Sequence, residues 1–138
     1  MDSAAVELLR HRLEADWSRL TNEIAELREA SKATTYLEDE TGAYDQHMAD
    51  DASAMTERQT DMSLLLNLER ELTYTESALD RMESGVYGTC EVCGKPIVEQ
   101  RLRARPAAST CIGCQTSIES RQRREMAFAA QRSDADLN

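Results

Sequence analysis

Apolar residues recur every seven positions in two separate stretches of this chain, with polar residues filling the intervals. Val6, Leu13, Leu20 and Leu27 make the first series, and Trp17 and Ile24 each stand three places before the last two of them. Leu65, Leu72, Leu79 and Val86 make the second, joined by Leu68 and Met82 three places further on. Such spacing places one apolar stripe along an α-helix, the a/d seam of a coiled coil. Proline interrupts neither stretch, since Pro96 and Pro106 both come later. Between the series, from about Thr34 to Ala52, the period lapses into TTYLEDETGAYDQHMADDA, whose acidic groups are Glu38, Asp39, Glu40, Asp45, Asp50 and Asp51. Two seams of matching length around a polar break predict an antiparallel helical hairpin, each helix about 30 residues and so about 45 Å long. Level pairing would set Val6 opposite Met82 and Leu27 opposite Asp61, with the tip near Tyr44. A homodimeric coiled coil is the competing arrangement; the differing sequences of the two seams and the length of the break favour the hairpin.

Composition narrows what surrounds this rod. With 138 residues and 4% aromatic content, the chain suits one or two small units rather than a large globular core. No apolar run approaches the roughly 18 residues needed to span a bilayer, so no membrane association is expected. The net charge of −10 is uneven: residues 1–89 carry 20 acidic and 8 basic side chains, and residues 90–138 carry 6 and 8. A surface of this kind attracts phosphate backbones poorly, which argues against direct DNA binding by a freestanding module. Arg121, Arg123 and Arg124 form a basic cluster on a last helix expected from about Gln115 to Arg132; pairing with Glu119 and Glu125, or offsetting the negative charge of a thiolate metal centre, would account for it. The closing SDADLN is expected to fray.

All four cysteines lie in YGTCEVCGKPIVEQRLRARPAASTCIGCQ, as Cys90-x-x-Cys93 and Cys111-x-x-Cys114. That double spacing is the pattern of a structural zinc site, where four thiolates take tetrahedral corners about 2.3 Å from the metal. Gly94 and Gly113 are placed where tight turns over a metal would need glycine. Met1 to Arg12 lacks the apolar core of a signal peptide, which points to a reducing cytoplasm and away from disulfides. A thioredoxin-like redox pair would need a strand-helix-strand pattern that is not visible. Four protein ligands leave no open position for a substrate, so the metal is read as structural and coupled to folding. His47, a lone imidazole in a polar loop, is not expected to hold a second metal.

Taken together, Tyr87-Gly88-x-Cys90-x-x-Cys93-Gly94, Arg101-Leu102-x-Ala104-Arg105-Pro106 and Cys111-Ile112-x-Cys114, after a hairpin of this length, resemble the DksA/TraR family of bacterial transcription regulators. The resemblance covers most of residues 36–120. It implies a mostly α fold, divided as a hairpin over 1–84 with its acidic tip near 36–52, a four-cysteine zinc finger over 85–115, and a C-terminal helix and tail over 116–138. It also implies a non-enzymatic protein that binds RNA polymerase, inserting the hairpin into the secondary channel to modulate initiation. The family's tip motif Asp-x-x-Asp-x-Ala aligns with His47-Met48-Ala49-Asp50-Asp51-Ala52, so Asp50 and Ala52 match and His47 replaces the first aspartate, with Asp51 between. The text around His47 looks closer to a Tyr-Asp-x-His-x-Ala-Asp branch found in Gram-positive-type members. At the family's alarmone site Arg105 matches a contributing arginine, while Tyr74 and Gln115 stand where lysines would meet phosphate. The expectation is little dependence on the alarmone. A passive occupant of the channel, or an interaction module on another partner, is the alternative; a thiol enzyme based on Cys90 and Cys93 is a third reading, disfavoured because no nucleophile and base pair is present.

Overall fold

A computed structural model describes the backbone of residues 1–41 and 48–135, and the side chains of residues 1–33 and 52–132. Helices α1 (Ser3–Thr41) and α2 (Met48–Glu83) are long; α3 (Glu99–Ala104) is short, and α4 (Ile112–Ala135) closes the chain. α1 and α2 pack along each other as the expected antiparallel hairpin. Trp17 Nε1 donates to Glu76 at 3.1 Å, and further towards the tip Arg28 pairs with Glu69. In both pairs the α2 partner lies nearer the open end than level pairing would place it. The offset is five residues at Glu76 and nine at Glu69, about 7 and 13 Å along the axis, more than the lean of the side chains spans, so the helices meet in a register shifted from the level one.

Helix persists well into the polar interval, reaching Thr41 and resuming at Met48. The interval lacks proline, and the propensities of its residues up to Thr41 tolerate helix. Loss of the apolar period therefore does not mark where the helix ends.

The seam differs from the strict heptad in detail. Leu9, Leu13, Leu20 and Ile24 are buried, and Val6 and Leu27 partly so, but Trp17 is 40% exposed. Because an α-helix turns every 3.6 residues, the stripe drifts across a seven-residue repeat, and Leu9 takes a buried place that Trp17 does not. The indole instead lies at the margin, tied to Glu76. On α2 Ala78 and Met82 are buried, whereas Leu65, Leu68, Leu72 and Leu79 are half-buried. Thr75 fills the buried place between Leu72 and Leu79, its hydroxyl satisfied by the Glu71 carbonyl at 2.9 Å. Val86 does not belong to the seam: α2 ends at Glu83 and Val86 is 50% exposed. Gly85, at φ 72°, turns the chain so that the Val86 and Tyr87 amides both return to the Arg81 carbonyl, at 3.0 and 3.1 Å.

The core sits at the open end of the hairpin. Leu9, Leu13, Ala78 and Met82 form one buried cluster with Cys90, Ile97, Leu102 and Ala108 of the following segment. Burying each leucine side chain there is worth about 2 kcal/mol. The segment itself is held by a small antiparallel bridge, Thr89 to Pro96, with the Ile97 amide on the Gly88 carbonyl at 2.7 Å. α4 is partly buried as far as Ser120 and exposed from Arg121 to Arg132. Among the described residues, no helix is long and apolar enough to cross a membrane.

Candidate metal centre and the adjoining groove

The first pair of cysteines lies on a turn that the backbone closes twice: the Gly94 amide donates to the Cys90 carbonyl and the Cys90 amide to Lys95, both at 2.9 Å. Gly94 has φ 70°, as this turn requires. The second pair is built differently. Ile112 opens α4, so Cys111 precedes its first turn and Cys114 lies within it. The Cys114 amide points at the Cys111 sulfur at 3.5 Å, and the Gln115 amide bonds the Cys111 carbonyl at 2.9 Å. Gly113 is consequently an ordinary helical residue without a positive φ, and the turn expected to need glycine there does not exist.

The four sulfurs of Cys90, Cys93, Cys111 and Cys114 lie within 4.8 Å of one another, and Cys93 and Cys111 are 3.9 Å apart. A tetrahedron with metal–sulfur bonds of about 2.3 Å has edges of about 3.8 Å, so the cluster fits a zinc ion. Electrostatics agree. The Cys111 amide, followed by that of Cys93, draws the Cys90 thiol down to about 6. The Cys114 amide draws Cys111 down, whereas Cys114, facing first Cys111 and then Cys93, is pushed up to about 12. Four sulfurs this close cannot all be thiolates without a cation among them, and a divalent ion removes that conflict. Bound there, zinc would tie the turn after α2 to the first turn of α4.

Main-chain carbonyls from the end of α3 to Thr110 anchor this centre, two of them to the hairpin. Arg12 Nη1 donates to Arg103 at 2.7 Å, Tyr87 Oη to Pro106 at 2.8 Å, Arg81 Nη2 to Ala108 at 3.3 Å and Arg101 Nε to Thr110 at 2.9 Å. Arg81 is buried, with its Nε 3.5 Å from Glu91 and its Nη1 without a protein partner. Burial pushes the Tyr87 phenol up to about 12, against a smaller opposing pull from Arg81. Neither Arg81 nor Tyr87 was singled out for this role by the sequence; Arg81 stands three residues after Ala78, and only that place beside the seam hints at burial.

Beside the loop runs a groove of about 220 Å³ lined by Tyr74, Arg101, Arg105, Gln115, Ile118 and Gln122, among others. The structure thus brings together Tyr74, Arg105 and Gln115, the three positions compared with the family's alarmone site. Gln115 is already committed: its amide oxygen accepts from Thr110 at 2.8 Å and its amide nitrogen donates to Glu119 at 2.7 Å. The expected ion pairs of the α4 arginines are absent among the described residues; Arg123 and Arg124 bond Ser120 instead. At the tip, Asp50 and Asp51 fall in the first turn of α2, Ala52 follows and is exposed, and His47 lies outside the described residues.

Residues 85–120 match the family described as the prokaryotic dksA/traR C4-type zinc finger. The chain is 32% identical over 127 residues to the RNA polymerase-binding transcription factor DksA of Escherichia coli K12, covering 89% of this chain and 77% of that one. It is 35% identical to the protein of the same name from Caulobacter vibrioides NA1000, over 70% of this chain and 68% of the other. A shorter match, 44% identical over 71 residues, is to the protein YteA of Bacillus subtilis, and spans 51% of this chain but only 30% of YteA. In three dimensions it resembles transcription factor DksA2 from Pseudomonas aeruginosa, with a TM-score of 0.65, 31% identity and 89% of each chain covered.

Proposed function

From the premise that this chain belongs to the DksA/TraR C4 zinc-finger family, we propose that it binds RNA polymerase through the secondary channel and modulates initiation with little dependence on the alarmone. The family's transcription factors are not enzymes, and the role is one of contact rather than catalysis. The observation that carries the reading is the hairpin: α1 and α2 have 39 and 36 residues, which at 1.5 Å per residue makes a rod of about 55 Å. α2 carries Asp50, Asp51 and Ala52 near its start, at the end remote from the metal centre, so a pore admitting the rod would take these residues deep inside. A carboxylate delivered into a confined catalytic site acts more strongly than one in water.

Weak alarmone dependence is supported by the groove beside Arg105. Its cations are Arg101 and Arg105, and Arg101 already spends its Nε on the Thr110 carbonyl. Tyr74 offers no positive charge and Gln115 is bonded within the chain, so a polyphosphate would meet little compensation. The wording Tyr44-Asp45-x-His47-x-Ala49-Asp50 supports placement in the Gram-positive-type branch, and His47 in place of an aspartate favours the second reading, a passive occupant of the channel.

Purified polymerase separates these readings. Displacement by a known secondary-channel ligand is expected, with a change in open-complex lifetime that Asp50→Asn removes while binding persists, and that is the same with and without alarmone. Binding with no effect on lifetime would establish the passive occupant. Absence of binding would sink both.

A further inference from the structure

The far half of α4 extends beyond the core: every described residue from Arg121 to Arg132 is exposed, and Met126 is 75% exposed. It does not point into open solvent on all sides. An open cleft of about 440 Å³ separates it from α2, with Arg70 and Tyr74 on one wall and Gln122, Glu125 and Met126 on the other. The walls are complementary in kind. A guanidinium and a carboxylate line the same cleft from opposite helices, and a half-exposed aromatic ring shares it with a thioether, a pairing that sulfur and ring faces or edges favour. Neither Arg70 nor Glu125 has an ion-pair partner among the described residues, so closing the cleft breaks no existing pair.

We propose that α4 is a strap that closes on α2, pairing Glu125 with Arg70 and seating Met126 on the Tyr74 ring. Its anchor is the metal centre: Cys111 and Cys114 flank the start of the helix, and partial burial ends at Ser120. Met126 lies twelve residues beyond Cys114, about 18 Å along the axis, so a tilt of about 10° carries it about 3 Å. Closure has a consequence for the groove beside Arg105, because Tyr74 and Gln122 line both spaces. The closed strap narrows the mouth of that groove, and the tyrosine standing at 74 becomes the seat for the chain's own methionine. An exposed ion pair and one sulfur–aromatic contact together favour the closed position on the order of tenfold. The inference goes beyond the polymerase reading and does not rest on it.

Methyl NMR of the zinc-loaded full chain, labelled at methionine, tests this without any partner protein. The Met126 methyl should resonate upfield of the exposed Met62 methyl through the ring current of Tyr74, and Tyr74→Leu should abolish the difference. Glu125→Arg should abolish it as well, and adding Arg70→Glu to that variant should restore it, with zinc content and helicity unchanged throughout. A Met126 methyl coincident with that of Met62 in the unsubstituted protein, or a charge swap that fails to restore the shift, would overturn the proposal.

Discussion

Tyr87 shows what a single side chain contributes to the joint between hairpin and metal centre. Its hydroxyl donates to the Pro106 carbonyl, and burial holds the phenol near 12, compared with about 10 in an unfolded chain. The folded state therefore prefers the neutral phenol, so this contribution is full below pH 10 and is lost as pH rises from 10 through 12. Tyr87→Phe should lower the stability of the zinc-loaded protein by about 1 kcal/mol at neutral pH, and denaturant titrations of the variant should fall less steeply between pH 10 and 12. Equal slopes would place the titration elsewhere. The four cysteines were legible in the sequence because their spacing is itself the coordination chemistry. The burial of Arg81 was not, because its acceptor, Ala108, lies 27 residues away on a loop with no periodic signal. Gly113 misled for a related reason: glycine beside a cysteine resembles a turn until the start of α4 is known.

At the level of the elements, the heptads identified both long helices and their antiparallel packing but misplaced the centre of the seam. Leu13 is buried almost completely, and Trp17 sits at the edge. Leu13→Ala should cost about 3 kcal/mol, and Trp17→Ala about 1 kcal/mol despite removing far more atoms. Chemical denaturation of the two variants checks the order, and the reverse order would return Trp17 to the seam. The periodic signal lapses near Thr34 although α1 continues to Thr41, because a helix needs no apolar stripe to persist where no residue breaks it. α3 gave no such signal: six residues are too few for a helical period, and only Leu102 among them is buried.

For the whole molecule, the division at residue 84 suggested by the sequence cuts through the principal buried cluster. Leu9, Leu13, Ala78 and Met82 share it with Cys90, Ile97, Leu102 and Ala108. We propose accordingly that zinc supports the open end of the hairpin as well as its own module. Chelation should remove amide protection from 9–13 and 78–82 together with the finger, while helix nearer the tip keeps its exchange rates; hydrogen exchange read by mass spectrometry would show it. Unchanged protection at 78–82 would instead mean that the hairpin stands alone. The stretch from Arg103, near the end of α3, to Thr110 joins these parts through its main-chain carbonyls, gripped by Arg12, Tyr87, Arg81 and Arg101. A grip on backbone is indifferent to what the neighbouring side chains are. Ser109, which faces the groove, can therefore drift in sequence while the joint stays closed, giving evolution a place to retune ligand preference without rebuilding the scaffold.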